Sequence, residues 1–195
     1  GLDCTRKRLD ERKADKRPYF LCEYVHAMGQ GPGGVKEYIE LFRGARRLAG
    51  GCVWEWTDHG LLRKADDGRE YYAYGGDYGE WPHDGNFCVD GLVWPDRTPH
   101  TGLLEVKQAY APVEVLADDA AAGPTRDGTQ PGAGQGWPGA GRYTLVNWRA
   151  FTTLEDLDGT WFLKRDGAVV AQGRLERLDL KPGEKRELTV KFTIE

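Results

Sequence analysis

Glu23 closes a short apolar run, Tyr19 to Cys22, and His26 follows three residues later. Gly29, Gly31, Gly33 and Gly34 come next. An apolar run that stops at a carboxylate and gives way to glycine reads as a buried strand whose C-terminal end opens into a loop. In strand-and-helix barrels that end of the strand carries the chemistry. A carboxylate there can serve as a nucleophile or as a general acid or base. His26 can bond substrate hydroxyls or orient Glu23, and it is equally compatible with a packed loop position. Trp54 offers an apolar platform for one face of a sugar, whereas Trp56 fits a core role as well or better. Glycoside hydrolysis uses two carboxyl groups, about 5 Å apart when anomeric configuration is retained. Glu55 and Asp58 are the candidates for a second carboxyl, although strand alternation turns Glu55 away from the Trp54 face.

These groups need elements to hold them. Pro18 blocks helix continuation and favours an extended approach to a first strand, Tyr19–Cys22. Val35, Tyr38, Ile39, Phe42 and Ala45 recur at helical spacing, with Lys36, Glu37, Glu40, Arg43 and Arg46 on the other side. Gly50-Gly51 is expected to end that helix. A second strand is expected over Cys52–Trp56, with Trp54 and Trp56 on one face and Val53 and Glu55 on the other. A strand–helix–strand unit of this kind is normally parallel. Both strands then deliver polar side chains, Glu23 and Thr57-Asp58-His59, to one end of the sheet. Residues 57–100 are loop-rich, and so long an irregular connection is usually functional. Phe87 to Trp94 returns to the core, and a helix is expected from Gly102 to Tyr110 with Leu103, Leu104, Val106 and Lys107 on one side.

The remainder of the chain has another period. From Pro112 onward, short alternating runs appear at Val113–Leu116, Tyr143–Trp148, Gly159–Lys164, Ala168–Gly173 and Leu188–Phe192. Asp166-Gly167 between two of them is a hairpin signal. This part reads as an all-β sandwich of immunoglobulin-like type. Residues 118–141 are rich in Ala, Gly and Pro and read as a flexible insertion. Residues 1–17 carry seven basic and four acidic side chains with no apolar stripe, so a solvated lead-in is expected. The domains expected are therefore 1–17, 18–111 and 112–195.

Composition narrows the function classes. The 195 residues carry a net charge of −4, so there is no basic surplus for a polyphosphate backbone, and no nucleic-acid partner is expected. No run approaches the ~20 apolar residues of a membrane span, so no membrane partner is expected. The four cysteines form no CxxC pair, which argues against a zinc site. Cys22 and Cys52 sit in apolar runs and are expected to be small buried hydrophobes. Nothing calls for an oxidising compartment or shows a signal peptide, and a cytoplasmic location is expected. A strand–helix–strand unit cannot bury itself, and an eight-unit barrel needs ~250 residues; if the first part is barrel material, it is only the last two βα units of a TIM (β/α)8 barrel.

The segment Leu21-Cys-Glu-Tyr-Val-His-Ala-Met-Gly29 resembles the nucleophile segment of the β-galactosidases of glycoside hydrolase family 2. So do Gly50-Gly-Cys-Val-Trp-Glu-Trp56, Tyr74-Gly-Gly-Asp77, Asn86-Phe-Cys-Val-Asp-Gly-Leu-Val93 and Asp96-Arg-Thr-Pro-His100, in the same order and approximate spacing. Asn147-Trp-Arg-Ala-Phe151 and the run from Leu154 to Leu157 are similar to the first strands of the β domain that follows that family's barrel. The resemblance runs from about Arg17 to the end of the chain.

The resemblance implies that Glu23 is the nucleophile forming a covalent glycosyl-enzyme. It implies that His26 binds galactosyl hydroxyls and that Trp54 lines the sugar site. It implies that Phe87 and Asp90 supply a backbone carbonyl and a side chain to a monovalent cation, Na+ or K+. An Asn often stands where this chain has Asp90. The family's acid/base glutamate and its Mg2+ ligands lie upstream of the nucleophile, and nothing in residues 1–17 matches them. The expected function is hydrolysis of terminal β-D-galactose from β-galactosides such as lactose, by a longer, homo-oligomeric enzyme of which these residues alone are inactive. Two other readings stay open: a β-glucuronidase or β-mannosidase of the same family, and a non-catalytic carbohydrate-binding or assembly module.

Overall fold

The computed structural model describes residues 1–118, 123–124 and 137–194. The chain divides into two compact units, Gly1–Tyr110 and Ala111–Glu195.

The first unit opens with a helix, α1 (Leu2–Glu11). It is a helix without a core face, since Thr5 is its buried residue. Ion pairs at helical spacing, Arg6 with Asp3 and Lys7 with Glu11, support it instead. Each contributes about 0.2–0.5 kcal/mol.

Strand β1 (Tyr19–Tyr24) follows Pro18 directly. Helix α2 (Val35–Gly44) buries Val35 and packs Ile39 against Ala27, Leu92 and Val106. Its first amide is capped from a distance: the Val35 N–H donates to Glu105 Oε1 at 3.2 Å. The helix stops at Gly44 rather than at Gly50-Gly51, and those glycines lie inside strand β2 (Leu48–Val53). Gly51 is there because β1 crowds it. A Cβ at Gly51 would lie 2.9 Å from the Leu21 backbone oxygen and 3.0 Å from the Tyr24 ring.

Strands β1 and β2 pair in parallel, from Tyr19 opposite Leu48 to Tyr24 opposite Val53. Between Leu21 and Tyr24 β1 uses three steps where β2 uses two, from Gly51 to Val53. That bulge breaks the alternation. Tyr24 is buried, with its ring edge-on to Tyr38 and Phe42 of α2, while Cys22 and Glu23 are both exposed. Cys22 and Cys52 are therefore not buried hydrophobes. The pair of strands has α2 on one side, and the thiols do not lie under it.

The second strand ends at Val53, three residues short of the expected Trp56. Trp54 leaves the strand to clasp the end of β1: its N–H donates to the Tyr24 carbonyl at 3.1 Å, and its carbonyl accepts from the Ala27 N–H at 2.7 Å. A hairpin, β3 (Leu61–Lys64) with β4 (Glu70–Ala73), occupies part of the loop-rich stretch. Leu92 and Val93 return to the core, whereas Phe87 and Trp94 are exposed. Helix α3 (Thr101–Ala109) buries Val106 and leaves Leu104 in solvent.

The second unit is all β among its described residues. Strand β5 (Val113–Ala117) and strand β10 (Lys185–Ile194) flank β7 (Trp137–Asn147) in one antiparallel sheet, and β6 (Gly123–Pro124) also pairs with β7. Strands β8 (Thr160–Arg165) and β9 (Ala168–Arg174) form a second, two-stranded sheet. Asp166 and Gly167 between them take φ values of 50° and 85°, the left-handed pair that a two-residue hairpin turn requires. Leu145, Leu154, Leu178 and Leu180 make the core. Of the insertion expected at 118–141, residues 137–141 belong to β7, and 119–122 and 125–136 lie outside the described residues.

Candidate active site

Glu23 is the penultimate residue of β1, and the bulge that starts at Cys22 sets its direction. Two residues later Val25 takes φ 43°, a left-handed conformation that costs a β-branched residue about 1–3 kcal/mol. That turn brings the chain round to His26. Glu23, His26 and Trp54 line one cavity of about 630 Å3, with Tyr24, Tyr38 and Glu37 also on its wall.

Asp90 and Phe87, the expected cation ligands, lie against two of these residues. The Trp54 indole N–H donates to Asp90 Oδ2 at 2.9 Å, and His26 Nε2 lies 3.7 Å from the same oxygen. The His26 ring stacks on Trp54, with centroids 6.4 Å apart, and stands 5.8 Å from the Phe87 ring. His26, Trp54, Phe87 and Asp90 thus form one cluster, and His26 and Trp54 share the cavity with Glu23. Among them Asp90 is 1% exposed, and its Oδ1 is buried with no hydrogen-bond partner among the described residues. A buried oxygen of this kind is costly to leave uncompensated, and a carboxyl oxygen is the donor that hard cations take. The residues present at Asp90 therefore fit a bound cation.

Glu55 and Asp58 do not behave as the alternation of a strand predicts. The strand has ended at Val53, two residues before Glu55. The Glu55 carboxyl lies 3.2 Å from His59 Nε2. Burial first, then the neighbouring Asp90 carboxyl, pushes the Glu55 pKa up, and His59 offsets part of that. The Glu55 carboxyl thus lies on the Asp90 side instead of pointing away, and its backbone N–H donates to the Asp90 carbonyl at 2.8 Å. Asp58 is buried, and both its oxygens are taken: Oδ1 accepts from the Gly91 N–H at 2.7 Å and Oδ2 meets His100 Nε2 at 2.8 Å. It has no free oxygen with which to serve as a second catalytic carboxyl.

Glu37 is a cavity residue that helix periodicity assigns to the solvent side. It sits in the first turn of α2, after Gly34 at φ 72°. Its place in the first turn of the helix that follows β1 was the available signal. Among the described residues no group of three or more His, Cys, Asp or Glu could hold a metal ion. No helix among them is long and apolar enough to cross a membrane.

A carboxylate at the open end of a parallel strand pair, beside an indole wall and an imidazole, can attack an electrophilic carbon or move a proton. Comparison with known proteins gives this arrangement its lineage. The family model described as the TIM barrel domain of glycosyl hydrolases family 2 matches residues 3–115. The chain belongs to glycoside hydrolase family 2. The match takes in α1, which the sequence motifs alone left outside. A second model, domain 4 of β-galactosidase, matches residues 143–195 in the all-β unit. A protein named β-galactosidase from Priestia megaterium is 37% identical over 179 residues, covering 92% of this chain and 16% of its own length. Its namesake from an Arthrobacter species is 39% identical over 167 residues, 86% of this chain and 15% of that one. One from Aeromonas hydrophila reaches 53% over 98 residues, half of this chain and 10% of its own. The family 2 chain described here thus spans 16% or less of the length of these relatives.

Proposed function

We propose that these residues belong to a retaining β-galactosidase and provide its nucleophile, Glu23. In this reading the first unit is the last two βα units of a (β/α)8 barrel, and the second is the immunoglobulin-like sandwich that follows it. One observation carries the proposal: Glu23 stands at the bulged C-terminal end of β1 in a single cavity with His26 and Trp54. The relatives' printed name, β-galactosidase, favours galactose over glucuronic acid or mannose as the sugar.

Glu23 forms a bond to the anomeric carbon as the bond to the leaving oxygen breaks. A carboxylic acid from outside residues 1–195 gives that oxygen its proton. The same group then takes a proton from water, which attacks the anomeric carbon and releases Glu23. Trp54 presents its face to the sugar and His26 meets its hydroxyls. Asp90 and the Phe87 carbonyl would hold Na+ or K+, which supplies a fixed positive charge for sugar oxygens. Mg2+ belongs with ligands outside these residues. Without the acid/base the 195 residues alone are inactive. Four free cysteines support a reducing, cytoplasmic location.

The test is turnover by the full-length protein. Glu23→Gln should lower kcat on a β-galactoside by roughly a thousandfold or more. The wild-type product should appear first as the β anomer. Full activity in Glu23→Gln, or an α product, contradicts the proposal.

A further inference from the structure

We infer that Asp58 and His100 are positioning residues that set the sugar-facing wall, acting through the backbone at Gly91. The consequence for sugar binding rests on the β-galactosidase reading; the positioning itself does not.

The observations form one chain of contacts. The His100 ring stacks on Trp94, with centroids 4.4 Å apart, and meets Asp58 Oδ2 at 2.8 Å. Asp58 Oδ1 accepts the Gly91 N–H at 2.7 Å. Residues 90–93 are also tied by their backbone on both sides. The Glu55 N–H donates to the Asp90 carbonyl at 2.8 Å, the Asp58 N–H to the Val93 carbonyl at 3.0 Å, and the His100 N–H to the Leu92 carbonyl at 3.0 Å. Gly91 packs directly on this backbone and leaves no space for a side chain: a Cβ there would stand 2.2 Å from the Asp58 amide nitrogen. Asp90, the next residue back, holds the Trp54 indole.

Asp58 is therefore a buried carboxylate with a mechanical task. It fixes the peptide that follows Asp90, and so the direction in which Asp90 aims its carboxyl. Trp54 follows, because its N–H has Asp90 as its partner. His100 in turn fixes the rotamer of Asp58, and Trp94 fixes the plane of His100. A site group misplaced by about 1 Å through a change remote from the chemistry can cost about a hundredfold.

The test uses protein labelled with 5-fluorotryptophan, with the Trp54 fluorine signal assigned by its loss in Trp54→Phe. Asp58→Ala should shift and broaden the Trp54 signal. Asp58→Asn should restore it, since the amide keeps an acceptor for Gly91 and a polar group for His100. Leu48→Ala, at the other end of β2, is the control for destabilisation alone and should leave the Trp54 signal in place. If Asp58→Ala folds poorly, His100→Phe reads the same coupling from the other end. The second readout is binding of a non-hydrolysable thiogalactoside by the full-length protein, which Asp58→Ala should weaken about tenfold or more. An unmoved Trp54 signal in both Asp58→Ala and His100→Phe overturns the inference. A signal that moves equally in Leu48→Ala overturns it too. A signal that responds as expected in a wild-type protein that binds no thiogalactoside upholds the positioning and defeats the β-galactoside reading.

Discussion

Trp54 donates its indole N–H to Asp90 Oδ2 across 2.9 Å, and the partner carboxyl is almost wholly out of solvent. One bond thus does two things. It holds the aromatic wall at a fixed angle, and it compensates one oxygen of a buried acid.

Trp54→Phe keeps an apolar face but removes the donor. It should cost about 1–3 kcal/mol of unfolding free energy in urea, the range for stranding a buried polar partner. Asp90→Asn in the Trp54→Phe background should recover part of that, because an amide is cheaper to bury than a carboxylate. A Trp54→Phe variant as stable as wild type would show that the bond carries no energy.

Gly51 is fixed by what lies against it rather than by a turn. Gly51→Ala would push a methyl to within 2.9 Å of the Leu21 backbone oxygen. Overpacking of this kind costs about 1–3 kcal/mol. The Tyr24 side should also loosen, read as faster amide exchange at Tyr24 and Trp54. Unchanged stability would mean that β1 and β2 can separate without loss.

Glu37 shares the cavity with Glu23. If the acid/base group comes from outside these residues, Glu37→Gln in the full-length protein should change kcat by less than about tenfold on a β-galactoside. A loss comparable with that of Glu23→Gln would make Glu37 the second carboxyl and overturn the division of labour proposed above.

Glu55 carries the acid-range signature of the site. Its folded pKa is raised, by burial first and by Asp90 next. A raised carboxyl contributes stability that is fully present below its unfolded pKa and is lost as pH rises through the folded one. Glu55→Gln removes the ionisation. The thermal midpoint of Glu55→Gln should therefore gain on wild type as pH goes from 4 to 7. A gain that is largest at pH 4 would show that the His59 contact dominates instead.

Local signals were legible and distant ones were not. The α2 stripe and the Asp166-Gly167 turn follow from periodicity and φ alone, and both stand in the structure. Gly50-Gly51 reads as a helix stop because a glycine's reason can lie on another strand, here Leu21 and Tyr24. The bulge at Cys22–Glu23 depends on register with β2, which no local pattern encodes. It is also why Cys22 is exposed when its apolar neighbours suggest otherwise. Glu23, His26 and Trp54 were found by residue type and by resemblance. The Asp58–His100 pair joins residues 42 positions apart, and neither carries a motif that announces the other.

The central claim is that Glu23 bonds to the anomeric carbon of a galactoside. The full-length protein, incubated with a 2-deoxy-2-fluoro-β-galactoside bearing a good leaving group, should gain the mass of one fluorogalactosyl unit. Peptide mass spectrometry should then place that unit on Glu23. Labelling of another carboxylate, or turnover of the galactoside with no trapped adduct while Glu23→Gln stays active, would contradict it.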